Sequence, residues 1–207
     1  MTVIYWADLL GTMVFAISGA LAVGDAEVDW LGAGFTGFVT AIGGGTLRDV
    51  LLNSYPLAWI DDGNLLLFIL LGLTLAFVFY PTLKRLHKTV LLFDSMGIAL
   101  FTMLGVEKAL RLGVSPAVAP MMGMFSAVMG GVIRDTLTNN TPVIFRNELY
   151  ATPCLIGAML YMGLDLLSLD RDINLVVCIL FIVTFRLLSI QYGWCLPRFR
   201  REGKPNH

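Results

Sequence analysis

The sequence predicts an all-α integral membrane protein of seven transmembrane helices, arranged as two inverted three-helix repeats followed by a seventh helix. Three observations support this fold class. Of the 207 residues, 57% are hydrophobic and only 14% are charged, against about a quarter charged in soluble domains. Seven apolar stretches follow one another, and the chain matches itself at an offset of 86 residues. A soluble fold of this size could not bury so much apolar surface.

The seven predicted helices are separated by short polar segments, and each is close to the roughly 20 residues that cross a bilayer. Their approximate bounds are 4–23, 31–52, 64–80, 90–106, 116–138, 149–167 and 173–192. Residues 20–22 (ALA) resemble a signal-peptide cleavage site, but residues 1–7 contain no basic side chain, so we expect the first helix to be retained. We therefore expect one membrane domain over residues 1–207, with a basic tail at 193–207.

The orientation follows from the lysines and arginines, which favour the cytoplasmic side of a membrane. With the N-terminus outside and the C-terminus cytoplasmic, eight loop and tail residues are inside and three are outside. The inner residues are Lys84, Arg85, Lys88, Arg146, Arg198, Arg200, Arg201 and Lys204, and the outer residues are Lys108, Arg111 and Arg171. Arg186, within the seventh helix, is expected to extend its charge toward the membrane surface.

An internal repeat relates helices one to three to helices four to six. Residues 8–56 align without a gap on 94–142, with 15 identities in 49 positions. Because the offset spans an odd number of helices, the second copy is inverted in the membrane. The first repeat is expected at about 4–80, the second at about 90–167, and the extra helix at about 173–192.

A row of small residues runs along the second helix and again along the fifth. The rows are Ala33, Gly37, Ala41 and Gly45, and Ala119, Gly123, Ala127 and Gly131. Such rows allow close helix packing in lipid, and the next step of each row is an aspartate. Consecutive glycines weaken a helix by about 1 kcal/mol each, so the glycines at 43–45 and 130–131 predict a bend or break that lines a polar cavity.

Six charged residues recur as two matched sets inside the predicted helices. The sets are Asp8, Arg48 and Asp49, and Asp94, Arg134 and Asp135. Intramembrane charges are usually paired or functional. One hypothesis is that Asp8 and Asp94 hold the arginines as supporting ion pairs, which leaves Asp49 and Asp135 nearer a pathway. The alternative is that all six are fixed ion pairs that hold the repeats together.

The paired segments GGGTLRD (43–49) and GGVIRD (130–135), 86 residues apart in a seven-helix chain, resemble the prokaryotic TRIC family of trimeric intracellular cation channels. The resemblance implies a homotrimer in the prokaryotic inner membrane, with one potassium-permeable pore per protomer bent at the glycines of helices two and five. It implies no cofactor and no metal other than transient potassium near these bends. The implied pathway residues are Gly43, Gly44, Gly45, Thr46, Arg48, Asp49, Gly130, Gly131, Arg134 and Asp135.

Two other functions are compatible with the same residues. The family has also been labelled as glycine transporters, and a zwitterion needs a half-helix N-terminus or arginine for its carboxylate and carbonyls or aspartate for its amine. An intramembrane aspartyl hydrolase using Asp49 and Asp135 is disfavoured, because the adjacent arginines oppose the protonated carboxyl that such a dyad needs. We therefore expect no enzyme, and partners limited to further copies of the chain, membrane lipid, and monovalent cations or a small amino acid, with no nucleic acid.

Overall fold

The computed structural model describes residues 2–24, 28–85 and 89–197. Within these ranges the chain forms nine α-helices, one 3₁₀ helix at Val143–Phe145, and no strand. The α-helices are α1 (Thr2–Ala22), α2 (Trp30–Leu51), α3 (Ala58–Asp61), α4 (Gly63–Val78), α5 (Tyr80–Arg85), α6 (Thr89–Arg111), α7 (Ala119–Leu137), α8 (Ala151–Leu166) and α9 (Arg171–Tyr192). The predicted all-helical class is therefore confirmed.

The seven predicted helices correspond to α1, α2, α4, α6, α7, α8 and α9, whereas α3 and α5 are short helices that hydropathy did not indicate. Among the described residues, α1, α6 and α9 are long and apolar enough to cross a membrane. α6 continues to Arg111, beyond the predicted end at 106. The added turn contains Glu107 and Lys108, and both side chains have ion-pair partners on other helices.

The ends of α2 and α7 are built alike. Asn53 and Asn139, 86 residues apart, both adopt the left-handed conformation, with φ of 50° and 55°. The following N–H groups of Ser54 and Asn140 each donate to the carbonyl of the helix aspartate, at 2.8 Å in both cases. This pattern is a helix C-terminal motif in which asparagine tolerates positive φ. The two chain reversals after α2 and α7 therefore have the same local geometry.

The core is formed where α1 packs on α2, α4 and α6, and where α7 packs on α2, α6 and α8. Phe15 and Phe101, which are equivalent at the 86-residue offset, stack at the centre with ring centroids 5.1 Å apart. Each ring also lies on a glycine of the opposite helix, Phe15 on Gly97 and Phe101 on Gly11. These reciprocal contacts bring α1 and α6 together.

Glycines also set the closest helix approaches. A Cβ at Gly19 would lie 2.7 Å from Cα of Gly37, and a Cβ at Gly105 would lie 2.7 Å from Cα of Gly123. The first pair joins α1 to α2 and the second joins α6 to α7. The small-residue rows predicted for helices two and five therefore serve helix packing.

The predicted break at the glycines of α2 and α7 is wrong, because both helices run without interruption through 43–45 and 130–131. A Cβ at Gly44 would collide with the Ser126 carbonyl oxygen of α7. A Cβ at Gly130 would lie 3.0 Å from the Thr40 carbonyl oxygen of α2. Tertiary packing at this crossing therefore offsets the low helix propensity of glycine. A bend within the continuous helices stays a prediction.

Several residues used for the orientation lie outside the described ranges. They are Lys88, Arg198, Arg200, Arg201 and Lys204. Of the predicted basic tail, only residues 193–197 are described. The direction in which the chain crosses the membrane therefore stays a prediction.

Candidate functional site

The first charge cluster consists of Asp8, Arg48, Asp49 and Lys108, at the C-terminal ends of α2 and α6 and near the start of α1. Arg48 Nε and Nη2 each lie 2.7 Å from Asp49 Oδ1, and Lys108 Nζ lies 2.8 Å from the same oxygen. Asp49 Oδ2 accepts a hydrogen bond from the Ala58 N–H at 3.2 Å. Arg48 and Asp49 are buried. Asp49 thus carries two cationic partners and also anchors the start of α3.

A small cavity of about 20 Å³ lies against this cluster. It is lined by Asp8, Thr12, Ala41, Ile42, Gly45, Thr46, Arg48, Asp49, Ala58, Trp59, Leu65 and Phe101. A cavity needs roughly 10–15 Å³ to hold one water, so this space fits one water-sized particle. The Trp59 indole N–H donates to Thr46 Oγ1 at 3.2 Å and fixes part of the wall.

Asp8 differs from its predicted role. In the part of the chain that the structure describes, its carboxylate makes no hydrogen bond and no ion pair, because the Arg48 guanidinium is turned toward Asp49. The predicted Asp8–Arg48 ion pair is therefore wrong. Asp8 instead lines the cavity as a second carboxylate.

The second charge cluster consists of Ser18, Asp94, Arg134, Asp135 and Tyr150. Arg134 Nε donates to Asp135 Oδ1 at 2.8 Å, while its Nη1 donates to Asp94 Oδ1 at 2.6 Å and to Ser18 Oγ at 2.8 Å. The Tyr150 hydroxyl donates to Asp94 Oδ1 at 3.2 Å, and Asp94 Oδ2 is buried with no hydrogen-bond partner among the residues that the structure describes. The predicted ion pair between Asp94 and Arg134 is thus present, and Arg134 is fixed from three sides.

The two Arg-Asp pairs share one local design. In each, the arginine Nε bonds to the adjacent aspartate, whose other oxygen accepts a backbone N–H of the following short helix: Ala58 for Asp49 and Val143 for Asp135. The surroundings differ. Arg134 is held by Ser18, whereas the position 86 residues after Ser18 is Leu104. The second cluster is therefore the more tightly bonded of the two.

The remaining predicted pathway residues fall into two groups. Gly45 and Thr46 line the cavity, and Gly131 lies beside Tyr150 and Asp94 of the second cluster. Gly43 packs against Ile133, while Gly44 and Gly130 lie at the crossing of α2 and α7. Gly45, Thr46 and Gly131 therefore lie at the two charge clusters. The other three glycines, Gly43, Gly44 and Gly130, pack against neighbouring helices.

Sequence reasoning missed two residues of α6, Glu107 and Lys108. The sequence places Lys108 in an outer loop, where it counts toward the predicted orientation. In the structure its Nζ instead bonds to Asp49. Glu107 is buried and bonds to Tyr161 of α8 and Arg171 of α9. Both replace apolar residues of the first repeat, Leu21 and Ala22, at the same offset. This change from apolar to charged residues between the two copies is the feature of the sequence that could have identified Glu107 and Lys108.

The prediction for Arg186 is also wrong, because its side chain is fully buried within the protein. Its Nη1 donates to the Leu149 carbonyl at 2.9 Å and its Nη2 pairs with Glu148 at 3.0 Å. The guanidinium lies over the Tyr150 ring at 5.1 Å from the centroid. Arg186 therefore docks α9 against the segment before α8, beside the second cluster.

No set of three or more His, Cys, Asp or Glu side chains converges into a metal site in residues 2–24, 28–85 and 89–197. The first cluster instead offers two carboxylates, two hydroxyls and an indole-bounded wall around a water-sized space. Such a surface can hold a single small cation or a water, since carboxylate and hydroxyl oxygens are ligands for hard cations.

The sequence profile of a family described as glycine transporter matches residues 5–81 and 91–165. The chain is 36% identical to the inner membrane protein YadS of Escherichia coli (strain K12) over 198 residues, which are 95% of this chain and 96% of that protein. It is 31% identical to the membrane protein YvgT of Bacillus subtilis (strain 168) over 191 residues, 92% of this chain and 93% of the relative.

Solved structures give a parallel result. A TRIC trimeric intracellular cation channel orthologue from Rhodobacter sphaeroides superposes with a TM-score of 0.88 at 32% identity, over 94% of this chain and all of that chain. A more distant TRIC counter-ion channel of calcium release, at 14% identity and a TM-score of 0.57, shares the fold.

Proposed function

The chain belongs to the family described as glycine transporter, which includes TRIC cation channels of known structure, and we propose that it is itself a monovalent cation channel. The single observation that carries the proposal is the match to a TRIC channel over 94% of the chain at 32% identity. Similarity of this extent supports a shared permeation function as well as a shared fold. The preferred ion in this proposal is potassium.

The channel is proposed to consist of two inverted three-helix repeats and a seventh helix. In this arrangement α1, α2 and α4 form the first repeat, α6, α7 and α8 form the second, and α9 stands outside both. The equivalent asparagine ends, glycine contacts and Arg-Asp pairs at an offset of 86 residues support it. Inverted repeats of this kind place ion sites at the repeat interface.

The pathway is proposed to run beside α2 and α7, past the two charge clusters. Support comes from the cavity, where Gly45, Thr46, Arg48 and Asp49 are all wall residues. Arg134 and Asp135 form the corresponding surface of the second cluster. Carboxylates near a narrow path raise the local cation concentration and exclude anions.

The assembly is proposed to be a homotrimer in the prokaryotic inner membrane, with the N-terminus outside and the C-terminus cytoplasmic. The trimeric relative from Rhodobacter sphaeroides supports the assembly, and the Escherichia coli relative supports the membrane. Each protomer then has its own pathway, because both charge clusters are built from one chain. Lipid covers the apolar residues that remain exposed on the outer helix faces.

The direct test is electrical. Purified protein in planar bilayers should give discrete potassium currents, with smaller currents when sodium replaces potassium and none when choline replaces it. Protein-free bilayers and bilayers with heat-denatured protein are the controls. Absence of discrete openings from correctly folded, trimeric protein would refute the proposal.

A secondary transporter of glycine or another small amino acid is the second candidate, because the family description names glycine transport. The clusters contain both carboxylates and guanidiniums, as a zwitterion requires. The uninterrupted α2 and α7 weigh against it, since they present no half-helix N-terminus at mid-helix for a carboxylate. Electrically silent uptake of labelled glycine by proteoliposomes, driven by a sodium or proton gradient, would favour the carrier.

The hydrolase alternative has no support at this site. Asp49 and Asp135 belong to different clusters, and each bonds to its own arginine. A catalytic aspartate dyad needs two carboxyls that share one proton.

A further inference from the structure

Lys108 distinguishes the first charge cluster from the second. Its ammonium nitrogen lies 2.8 Å from Asp49 Oδ1, although Arg48 already bonds to that oxygen through two nitrogens. At the offset of 86 residues, the position that corresponds to Lys108 is Ala22. Lysine is therefore an addition to the first cluster and not a requirement of the repeated Arg-Asp design.

The second cluster shows that the aspartate is satisfied without a lysine. Asp135, which is 5% exposed, bonds to Arg134 and to the Val143 N–H. The equivalent partners of Asp49 are Arg48 and the Ala58 N–H. A second cation on Asp49 is thus unnecessary for the hydrogen bonds that hold this aspartate or for the turn into α3.

The chemistry of the contact suggests another use. An ammonium group and a potassium ion have nearly the same radius, and both bind carboxylate oxygens. The Lys108 ammonium therefore marks a position on Asp49 at which a monovalent cation of that size is accommodated. The lysine side chain is 22% exposed, against 1% for the aspartate, and its four-carbon stem is flexible. It can leave while Asp49 stays in place.

Asp8 completes the site. It lines the same 20 Å³ cavity as Asp49 and has no hydrogen bond or ion pair among the described residues. With Lys108 in contact, Asp8, Arg48, Asp49 and Lys108 sum to zero net charge. Without it, the formal charges of two carboxylates and one arginine sum to −1, which favours a cation at the position on Asp49 that the ammonium leaves, next to the cavity.

Resting on the proposed channel function, we propose that Lys108 is a tethered competitor of the permeating cation. Its ammonium occupies the position on Asp49 that a monovalent cation takes when the lysine side chain swings away. A neutral side chain at position 108 leaves this position open and raises the apparent affinity of the pathway for potassium. The maximal conductance is unchanged, because competition is overcome at saturating potassium.

The test compares K108Q with R111Q in planar bilayers over a series of potassium concentrations. Arg111 is exposed on the same last turn of α6, so R111Q removes an equal charge from the same end of the molecule without touching Asp49. K108Q should lower the half-saturating potassium concentration about fivefold, which is the upper range for a partly exposed ion pair. R111Q should leave that concentration within about twofold of the wild type, as expected for a screened surface charge.

Chemical rescue separates competition from a folding defect. Cys154 and Cys178 are buried and Cys195 is exposed, so a C195S background allows selective modification of K108C. A reagent that attaches an ethylammonium group should restore the wild-type half-saturation, whereas a neutral reagent of similar size should not. The inference would be overturned if both reagents restored the wild-type half-saturation equally. It would also be overturned if K108Q and R111Q both behaved like a conducting wild type. In either case the proposed channel function would be unaffected.

If the wild type gives no currents, the proposed channel function is refuted. A binding measurement then tests the competition between Lys108 and potassium independently. Potassium, relative to choline, should raise the thermal unfolding midpoint of K108Q more than that of the wild type. Equal shifts in the two proteins would overturn the competition at this site, whatever the currents show.

Discussion

The role of single residues is clearest at Asp49, whose carboxylate both lines the cavity and bonds to α3 through Ala58. The sequence repeat locates the two Arg-Asp motifs, because their spacing is identical, but it does not specify which aspartate each arginine bonds to. It could not predict that Arg48 turns from Asp8 to Asp49, since side-chain direction depends on neighbours from other helices. For Lys108, which lies 59 residues from its partner, the departure from the repeat marks the position but does not identify Asp49 as the partner.

Replacing Asp49 with asparagine should lower potassium conductance at low ionic strength by about threefold or more. The physical reason is that a fixed negative charge beside a narrow path concentrates cations, an effect that salt screens. Asparagine can still accept the Ala58 N–H through its side-chain oxygen, so the turn should persist. Conductance in dilute and concentrated potassium chloride checks the expectation.

The matched control for that change is Asp61→Asn. Asp61 is exposed at the end of α3, close along the chain to the same cluster. It should change conductance little at either salt concentration. If D49N conducts like D61N, Asp49 does not belong to the pathway.

Among the helices, α2 and α7 show where sequence rules succeed and where they fail. Apolar stretches predict that the chain is helical at α1, α2, α4, α6, α7, α8 and α9, and among the described residues α1, α6 and α9 are long and apolar enough to cross a membrane. The glycines at 43–45 suggest a break only when each helix is considered alone. In the fold, Gly44 and Gly130 allow the backbones to approach, and the contact stabilises both helices. A tertiary crossing of this kind leaves only the small-residue rows as its trace in the sequence.

Gly44→Ala should therefore destabilise the protein by about 1–3 kcal/mol, the usual effect of overpacking. The added methyl group would collide with the Ser126 carbonyl, which cannot move without displacing α7. Gly34→Ala, ten residues earlier in α2, is the matched control, because its nearest neighbour is the Phe77 ring at 3.8 Å. That change should be neutral or stabilising by up to about 1 kcal/mol. Thermal unfolding of detergent-solubilised protein compares the two, and a G44A midpoint at or above that of G34A would contradict this account of the crossing.

For the whole molecule, α9 is held by buried polar contacts as well as by the core residues Leu175, Cys178 and Ile182. Arg186 holds Leu149 and Glu148, while Asn174 donates to the Tyr161 carbonyl of α8 at 3.0 Å. The sequence alone predicts that the charge of Arg186 extends toward the membrane surface. The structure shows instead that this charge joins α9 to the segment beside the second cluster.

Arg186→Met should lower the free energy of unfolding by about 2 kcal/mol, because charged hydrogen bonds of this kind contribute about 1.5–3 kcal/mol. It should also expose α9 to proteases before the other helices. Limited proteolysis and thermal unfolding report the two effects. Arg146→Gln, in the same segment but exposed with one backbone hydrogen bond to Thr141, should show neither. Unchanged protease resistance in R186M would mean that α9 is held by other contacts.

Phe15 packs on Gly97, and Phe101 packs on Gly11. Each half of the chain therefore contributes one protruding ring and one glycine recess to the contact between the halves. The halves should therefore recognise each other even when the peptide connection between them is cut. Co-expressed fragments 1–86 and 87–207 should reassemble into a complex that co-purifies and conducts like the uncut chain. A bulky residue at position 97 in one fragment should abolish reassembly, and a smaller residue at position 15 in the other should restore it.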